Sequence, residues 1–460
     1  MSDDEYLTAT ISTCGTCGRL LPAQVHLRDG AVWFHKHCPD HGPQDVRISS
    51  DPAYFLGLGR FHRAGSIPYR FATSAGKGCP GSCGLCPDHE QHVCMPILDI
   101  TDHCDMACPV CLVKTPGTFH LTPAQVGGIL DRLIGSEGQI DVLNLSGGEP
   151  TLNPQFRQIV EECLSRKQIL YVSVSTNGRN LLRDPALLQF LADRRVIIAL
   201  QFDGTDGSCY RPLRGMDLLA EKLQLIEQIG SLNGRMSLTI TAARGINDHN
   251  LGEPLRLLFA NDHILSIMFQ PAAYVGHGSS IGRPADALTI PDVIAALEGA
   301  CDGRVRAADF SPLPCSHPAC FSLAFYLRTA DGTFVPIRQL LDTERYLDLL
   351  KNRALPGTDA ESFALIQDAM YELWSGPAGL APDSQKTLAA VRQLLDAINC
   401  GPRGPCSAIA ATERSVKSVF IHHFMDRHTF DLSRARKCCQ VYPLADGRLM
   451  PACVYNCLRR

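Results

Sequence analysis

The sequence lacks the features that would direct it to a nucleic acid or through a membrane. Its 43 Lys and Arg residues are outnumbered by 47 Asp and Glu residues, for a formal net charge of −4, whereas a nucleic-acid partner usually requires a basic face. No run of about 18 apolar residues occurs, so we expect no membrane span. Residues 1–10 are acidic and polar, so we expect no signal peptide and a cytoplasmic protein, with peripheral membrane contact left open.

What the sequence has in excess is cysteine. The 460 residues include 21 cysteines, most of them in short clusters. At this density, and with no export signal, metal ligation is favoured over a disulfide framework. Cys163, Cys209 and Cys301 stand alone and are predicted to be small buried hydrophobic residues. The clustered cysteines are therefore the candidate ligands, and the length predicts about two or three domains.

Residues 1–60 are predicted to form a small rubredoxin-like module that is closed by one metal ion. Cys14 and Cys17 lie in a knuckle whose glycines let backbone N–H groups approach the sulfurs. Two short β-like runs follow, around the turn signal Asp29-Gly30. The expected tetrahedral ligands are Cys14, Cys17, Cys38 and His41. Either zinc or iron fits such a set, and the spacing does not separate the two metals.

Residues 61–95 carry a first cysteine triplet on a loop rich in proline and glycine. Cys79, Cys83 and Cys86 are spaced as the ligands of an iron–sulfur cluster, and Cys94 is the expected fourth thiolate. A fully ligated cluster of this kind is an auxiliary cluster that passes electrons. A zinc loop is the alternative, and His89 or His92 could replace one of the four cysteines.

Residues 96–300 alternate between strand-like and helix-like segments, which predicts an α/β fold with a parallel sheet curled into a partial (β/α)6 barrel. Thr122-Pro123 and Asn153-Pro154 are expected to start two of the helices. The predicted strands are Ile97–Thr101, Val142–Ser146, Ile169–Ser175, Val196–Phe202, Met236–Thr241 and Ile264–Phe269. The predicted helices are Pro123–Ile134, Pro154–Arg166, Pro185–Ala192, Leu218–Ile229 and Leu251–Phe259.

Residues 301–460 are predicted to form a C-terminal auxiliary iron–sulfur region with a helix-rich insert, Thr358–Ile398. A second auxiliary cluster is expected at Cys315, Cys320, Cys438 and Cys453, and Cys439 and Cys457 are alternatives to members of that set. The segment between Cys438 and Cys453 is predicted to be a hairpin, because Asp446-Gly447 marks a turn. Cys400 and Cys406 remain unassigned.

The second triplet, Cys104, Cys108 and Cys111, follows the first strand of the predicted barrel. Three thiolates on one loop can hold three irons of a [4Fe–4S] cluster and leave the fourth open to a ligand. Gly147, Gly148 and Glu149 follow the second strand, where glycines allow close backbone approach and the carboxylate can accept from an ammonium group. Ser175 and Asn177 close the third strand and suit a carboxylate or a ribose. Together, these residues predict that an amino-acid-like ligand binds to the open iron of the cluster.

The Cys104/Cys108/Cys111 triplet with Gly147-Gly148-Glu149-Pro150 resembles the radical S-adenosylmethionine (radical SAM) superfamily. That resemblance implies reductive cleavage of S-adenosylmethionine to methionine and a 5′-deoxyadenosyl radical, which abstracts hydrogen from unactivated carbon. Members often have an aromatic residue before the last cysteine, where this chain has Val110. With the other cysteines, the chain is similar to a group of tetraether lipid synthases and a pterin methylase. The group implies two auxiliary clusters, one mononuclear metal and a flavodoxin- or ferredoxin-like electron donor.

Three functions follow as hypotheses. The first is carbon–carbon coupling of lipid alkyl chains, which would require an apolar channel for the substrate. The second is methylation of a pterin-type small molecule. The mass of the product separates these two, because coupling removes two hydrogens and methylation adds one CH₂. The third, a non-enzymatic electron carrier or zinc-stabilised binding protein, leaves the open cluster and the glycine rim without a purpose.

Overall fold

The computed structural model of the chain describes residues 4–113, 116–280, 286–329, 331–340, 343–352 and 415–459, with single helical positions at 368, 389 and 392. Apart from those three positions, the predicted helical insert lies outside the described residues, as do Cys400 and Cys406. Within the described part of the chain, no helix is long and apolar enough to cross a membrane.

Sixteen strands and twelve helices are used in the description below. The strands are β1 (Glu5–Thr13), β2 (Leu20–Arg28), β3 (Ala31–Cys38), β4 (Gly42–Ser49), β5 (Met95–Thr101), β6 (Ile140–Gly147), β7 (Ile169–Thr176), β8 (Ile197–Gln201), β9 (Arg235–Ala242), β10 (Ile264–Pro271), β11 (Ser311–Pro312), β12 (Phe321–Arg328), β13 (Phe334–Pro336), β14 (Val416–His422), β15 (Gln440–Pro443) and β16 (Leu449–Pro451). The helices are α1 (Pro52–Gly57), α2 (Pro123–Glu137), α3 (Phe156–Leu164), α4 (Arg179–Arg183), α5 (Pro185–Asp193), α6 (Tyr210–Arg214), α7 (Leu219–Ser231), α8 (Glu253–Ala260), α9 (Ile290–Ala300), α10 (Thr343–Leu350), α11 (Leu432–Arg436) and α12 (Ala452–Val454).

The N-terminal strands β1 to β4 form a separate antiparallel sheet in sequence order. A small core of Ala23, Val25, Val32 and Phe34 lies on one face of its two central strands, as their alternation of apolar residues predicts. Most side chains of the edge strands β1 and β4 are exposed or half-buried. They therefore lack an apolar alternation, and this is why the sequence indicated only the two central strands.

The second sheet has twelve strands in the order β11-β12-β14-β10-β9-β8-β7-β6-β5-β15-β16, with β13 paired to β12. All six predicted strands are present as β5 to β10, and each pairs in parallel with the next. Leu98, Leu143, Val172 and Leu238 belong to the large core that the flanking helices share. The opposite face of these six strands is called the inner face below.

The C-terminal part of the chain extends both edges of this parallel sheet. Strand β14 pairs in parallel with β10, and β15 pairs in parallel with β5, with Gln440 opposite Met95 and Val441 opposite Pro96. Strands β15 and β16 form the predicted hairpin. The C-terminal cysteines are thereby brought beside the first strand of the predicted barrel.

The two predicted helix starts differ in outcome. Thr122 caps α2 with its hydroxyl on the backbone N–H of Gln125, and Pro123 occupies the first turn. The prediction for Asn153-Pro154 was wrong by two residues, because α3 begins at Phe156. The Asn153 amide instead donates to the carbonyl oxygens of Ile100 and Leu121, at 2.9 and 3.0 Å, and fixes the chain that precedes α3.

Candidate functional site

The second cysteine triplet lies on the loop that follows β5, at the carboxyl end of the parallel strands. Cys104, Cys108 and Cys111 are partly exposed. The Cys111 carbonyl accepts from the backbone N–H of His277, which lies after β10, at 2.9 Å. An apolar cluster surrounds the loop; its buried members are Met106, Val110, Cys209, Tyr210, Leu213, Leu218 and Ala243. Val110 therefore fills the position before the last cysteine with an aliphatic side chain.

The glycines after β6 pack against the backbone of the cysteine loop. A Cβ atom on Gly147 would lie 2.0 Å from the Thr101 carbonyl oxygen, and one on Gly148 would lie 2.2 Å from that of His103. The backbone N–H of Gly148 donates to Thr101, and that of Glu149 donates to His103, at 2.9 and 2.7 Å. Besides any ligand contact, the two glycines are thus required for the cysteine loop to reach β6.

The Glu149 side chain is buried and holds the ends of two strands together. Its carboxylate accepts from both the backbone N–H and the hydroxyl of Thr151, at 3.3 and 2.7 Å. It also accepts from the Thr176 hydroxyl and the Asn177 N–H, each at 2.7 Å. Burial raises its pKa, which these hydrogen bonds oppose. The structure therefore shows that Glu149 holds the ends of β6 and β7 together, and its contact with an ammonium group stays a prediction.

Ser175 lies among the last residues of β7 and Asn177 directly follows that strand, and the two side chains have different partners. The Asn177 amide donates to the Asp105 carboxylate of the cysteine loop, at 2.8 Å. Arg179 also donates to Asp105, at 3.2 Å. Ser175 instead donates to Asn144 on the neighbouring strand, at 3.1 Å. Asp105 and Arg179 thus tie the cysteine loop to the end of β7, and sequence reasoning missed both of them.

A buried ion pair beside the triplet was also missed. The Arg214 guanidinium donates to both oxygens of Asp203, at 2.6 and 2.7 Å, and to the Thr241 hydroxyl at 2.8 Å. Asp203 and the nearby Cys108 thiol, to which Arg214 also hydrogen-bonds, raise the pKa of Arg214, although burial alone would lower it. The sequence did contain a signal for Asp203, because this residue directly follows the predicted strand Val196–Phe202.

Polar side chains line the inner face of the parallel sheet. Asn144 on β6 accepts from Ser173 on β7 at 2.8 Å, and Ser266 on β10 donates to Ser237 on β9, also at 2.8 Å. These residues alternate with Leu143, Leu145, Val172 and Val174 of the helix-side core. The inner face of these strands therefore offers hydroxyl and amide groups beneath the cysteine loop.

The four predicted ligands of the N-terminal module converge. The ligand atoms of Cys14, Cys17, Cys38 and His41 all lie within 4.8 Å of one another, which suits one tetrahedral ion. Burial would raise the pKa of the Cys14 thiol, but hydrogen bonds from the Cys17 backbone and the Gln44 side chain lower it to about 6. A thiol that ionises this readily is a ready metal ligand.

The remaining cysteines lie in neighbouring groups of thiols. The pKa of the Cys83 thiol is raised by a hydrogen bond with Cys79, by burial and by the neighbouring thiols of Cys86 and Cys438. Burial and the neighbouring thiols of Cys453, Cys439 and Cys320 raise the pKa of Cys438, so this residue lies between the first triplet and the C-terminal cysteines. Cys94 hydrogen-bonds with the thiols of Cys315 and Cys439. The predicted ligand sets of the two auxiliary clusters stay predictions.

Cys320, Cys453 and Cys457 lie close to these groups but have protein partners of their own. The Cys320 sulfur accepts from Arg434 at 3.4 Å. The Cys453 sulfur accepts from the backbone N–H of Met425 at 3.3 Å, and the Cys457 thiol donates to the Met425 carbonyl at 3.2 Å. Cys163, Cys209 and Cys301 have pKa values raised by burial, consistent with their predicted role as small apolar residues.

Comparisons with known proteins match both parts of the chain. Residues 98–258 match the family described as the radical SAM superfamily, and residues 6–50 match the HMPTM N-terminal zinc ribbon domain. The 7,8-dihydro-6-hydroxymethylpterin dimethyltransferase of Methanocaldococcus jannaschii is 26% identical over 479 residues, covering 98% of this chain and 94% of the relative. The probable GTP 3′,8-cyclase of Pyrococcus abyssi is 27% identical over 173 residues, covering 37% of this chain and 55% of the relative.

Among solved structures, the Streptococcus suis protein SuiB bound to the precursor peptide SuiA is 14% identical, with a TM-score of 0.41 and coverage of 47% of each chain. That likeness is too low to bear on function. None of these similarities points to a lipid synthase.

The residues of the triplet fit the cluster that this family implies. Three thiols share one loop, and an apolar cluster excludes water from one side of it. Burial raises the pKa of the Cys104 thiol to about 12, so a cationic metal is needed to deprotonate it near neutral pH. The chain is a radical SAM enzyme with an N-terminal zinc ribbon, and this family implies a [4Fe–4S] cluster and S-adenosylmethionine.

Proposed function

We propose that the enzyme methylates a pterin-type heterocycle through radical chemistry. The observation that carries this proposal is the similarity to a pterin dimethyltransferase along 98% of the chain, which includes the zinc ribbon and the C-terminal cysteines. Carbon–carbon coupling of lipid chains, the first hypothesis from the sequence, has no such relative to support it. We therefore place methylation first and keep coupling as a competing outcome of the same assay.

The polar inner face supports the same choice. Asn144, Ser173 and Ser175 hydrogen-bond with one another and make this face polar, whereas an alkyl chain gains free energy chiefly by contact with an apolar wall. A heterocycle with ring nitrogens and an exocyclic amino group can exchange hydrogen bonds with such side chains. The apolar channel that lipid coupling requires is thus not what these strands offer.

The residues at the rim have separate roles in this proposal. Cys104, Cys108 and Cys111 would hold the [4Fe–4S] cluster, which with S-adenosylmethionine supplies a carbon radical able to abstract hydrogen. The glycines of the rim keep the cysteine loop against β6. Glu149 fixes the end of β7, so that Asn177 can hold Asp105. Arg214 donates toward Cys108 and stabilises negative charge on that sulfur.

The other cysteines are proposed to hold auxiliary clusters. One set comprises Cys79, Cys83, Cys86 and Cys438, and the other contains Cys94, Cys315 and Cys439. Both sets rest on thiols that lie close to one another, and the set first expected from the sequence, with Cys438 beside Cys320 and Cys453, is the alternative. A flavodoxin- or ferredoxin-like protein would supply the electrons, and the zinc ribbon would hold one zinc or iron ion.

Single and double substitutions test this division of the cysteines between two auxiliary clusters. Cys438→Ala and Cys439→Ala should each remove the iron of one cluster. Adding Cys79→Ala to Cys438→Ala should remove no further iron, whereas adding Cys94→Ala should. The measurements are iron content and the EPR spectrum of the reduced protein, and equal losses in the two double variants would contradict the partition.

The function is tested by mass spectrometry of products from anaerobically reconstituted enzyme. The assay contains S-adenosylmethionine, a reductant, a folate one-carbon donor such as methylenetetrahydrofolate, a dihydropterin and phospholipids. We expect a pterin heavier by one CH₂ for each methyl group, together with 5′-deoxyadenosine. Cys104→Ala should form neither product, and Cys79→Ala should still cleave S-adenosylmethionine. A lipid lighter by two hydrogens, with the pterin unchanged, would overturn the proposal in favour of coupling.

A further inference from the structure

A row of three polar side chains crosses the carboxyl edge of the parallel sheet. Strands β9 and β10 pair with Thr241 beside Gln270. Strand β14 continues the sheet beyond β10 with Ile421 beside Phe269, so His422 and Gln270 are the next residues on these two strands. The residue that precedes each member of the row belongs to the helix-side core. Because side chains alternate along a strand, all three members of the row lie on the inner face.

The row begins at the cysteine loop. The Arg214 guanidinium, which also hydrogen-bonds to Cys108, donates to the Thr241 hydroxyl at 2.8 Å. The next residue contacts the same loop, since a Cβ atom on Gly215 would lie 3.9 Å from the side chain of Pro109. Thr241 therefore stands directly beside the segment that carries the cysteine triplet.

The other end of the row also approaches this loop. The ring of Phe424 packs on that of His422, with centroids 4.0 Å apart. Phe424 belongs to a buried apolar cluster on which Leu112, the residue after Cys111, packs. Neighbouring strands lie about 4.8 Å apart, so His422 is roughly 10 Å from Thr241 across the sheet. The row thus spans a width that suits one small heterocycle beneath the cysteine loop.

The ring of His422 is fixed by its aromatic neighbours. It is 4% exposed, and it stacks on Phe321 with centroids 3.9 Å apart and an angle of 5° between the planes. Its Nδ1 atom is buried and has no hydrogen-bond partner within the part of the chain that the structure describes. An unpartnered polar atom at such a position costs free energy and is uncommon in native proteins. A ligand that supplies the missing partner would therefore gain from binding here.

The chemistry of the row narrows the class of ligand. Burial and the nearby Arg434 lower the pKa of His422 well below its usual value, so the imidazole is neutral and offers one donor and one acceptor. Beside it, the Gln270 amide nitrogen donates to the Met268 sulfur at 3.3 Å, which is a weak acceptor. Neutral donors and acceptors in a line match a heterocycle that carries both kinds of group along its edge.

We propose that His422 binds the ring of the substrate, with its Nδ1 atom hydrogen-bonded to a nitrogen or oxygen on the edge of a pterin-type heterocycle. Gln270 and Thr241 line the same subsite, between His422 and the cysteine loop. This inference rests on the proposed function and names the side chain that would recognise the substrate.

The test is a binding measurement on the anaerobically reconstituted full chain, with S-adenosylmethionine present and no reductant. The signal is the intrinsic fluorescence of 6-hydroxymethylpterin. His422→Phe keeps an aromatic ring between its neighbours but removes Nδ1, so its affinity for the pterin should be about tenfold or more weaker than that of wild type. His422→Asn, whose amide can occupy the position of Nδ1, should bind the pterin more tightly than His422→Phe, and the reverse order would overturn the inference.

The matched control is a second histidine at the opposite edge of the sheet. His263 directly precedes β10, and its Nε2 atom is also buried without a hydrogen-bond partner among the described residues. His263→Phe should bind the pterin as wild type does. An equal loss of affinity in His263→Phe and His422→Phe would overturn the inference, because the loss would then not depend on the position of the row.

Stability and iron content separate binding from a structural role. Since Nδ1 of His422 has no partner to lose, His422→Phe without ligand should unfold at a Tm no lower than that of wild type, and its iron content and its affinity for S-adenosylmethionine should be unchanged. Loss of iron from this variant would assign His422 to a cluster and overturn the inference. A crystal structure of wild type with the pterin requires no variant: a ring nitrogen or oxygen should lie about 2.7–3.2 Å from Nδ1, and a pterin bound elsewhere would refute the site.

The inference and the proposed function fail in different ways. If wild-type enzyme methylates the pterin but His422→Phe binds it unchanged, the site is wrong and the function stands. If wild-type enzyme neither binds nor methylates any pterin, the function itself is wrong.

Discussion

Replacing Asp203 by Asn should strongly destabilise the radical SAM domain, because it leaves the Arg214 guanidinium charged and buried. The Asp203 and Arg214 side chains are 0% and 10% exposed. The backbone N–H of Thr241 also donates to Asp203, at 3.2 Å. The buried ammonium of Lys222 is another neighbour of this carboxylate. The substitution therefore removes the compensating charge for two buried cations.

The expected magnitude follows from the burial of the pair. Removing one partner of a buried ion pair costs about 3–5 kcal/mol. For a domain of roughly 150–250 residues that corresponds to a fall of about 6–20 °C in Tm. The exposed pair of Arg448 and Asp446 has the same short separation, 2.6 Å, but its side chains are 42% and 51% exposed. Asp446→Asn should therefore cost about 1 kcal/mol or less.

The assay compares four proteins by thermal unfolding under anaerobic conditions, with iron content measured in parallel. These are wild type, Asp203→Asn, Asp446→Asn and the double variant Asp203→Asn/Arg214→Met. The double variant should recover much of the loss, because it no longer contains the uncompensated guanidinium. If Asp203→Asn costs no more than Asp446→Asn, then the pair is screened by solvent and the reasoning is refuted.

Three further predictions concern single residues. Glu149→Gln should cost about 1–3 kcal/mol and weaken S-adenosylmethionine binding in equilibrium dialysis, because an amide cannot accept all the hydrogen bonds that the carboxylate accepts. Cys14→Ser should release one metal equivalent and speed hydrogen exchange across residues 5–49, while the iron of the clusters is retained. Burial lowers the pKa of Lys417 from 10.5 to about 8, so the unfolded state binds more protons between these values and stability should rise with pH across that window. Lys36 and Lys222 share this shift, so Lys417→Met should reduce the rise in urea-unfolding measurements without removing it.

The sequence predicted the six strands of the parallel sheet because each has a continuous or alternating apolar run between polar segments. Their order followed from the alternation with helices, since consecutive parallel strands usually lie side by side. The short Cys-x-x-Cys and Cys-x-x-His spacings also predicted the convergence of Cys14 and Cys17, between β1 and β2, with Cys38 and His41, at the turn between β3 and β4. In these cases the interacting residues are close along the chain or belong to one small sheet of consecutive strands.

The grouping of the auxiliary cysteines could not be predicted in the same way. Cys438 and Cys439 are adjacent in sequence, and their neighbouring thiols include Cys83 and Cys453 for Cys438 and Cys94 for Cys439. Which of them joins which group depends on the attachment of β15 to the edge of β5, a contact across more than 300 residues. The partners of Glu149 within the protein were missed for a related reason, because Thr176 and Asn177 lie at the end of another strand.

The same attachment bears on how this enzyme would select a substrate. The residues proposed for radical formation lie within one stretch of chain, so their spacing can be recognised in the sequence. They are the cysteines from Cys104 to Cys111 with Gly147 and Gly148. A cavity beside them combines residues of β5 with Tyr442 of the C-terminal hairpin and with Tyr455, which follows the hairpin. Strand β15 pairs with β5 only at Met95 and Pro96. The hairpin therefore covers the start of this sheet edge and leaves a gap farther along β5, next to Gly147 and Gly148. A change in the hairpin could therefore alter what is bound without disturbing how the radical is made. This separation explains why motifs identify the chemistry of the chain more readily than its substrate.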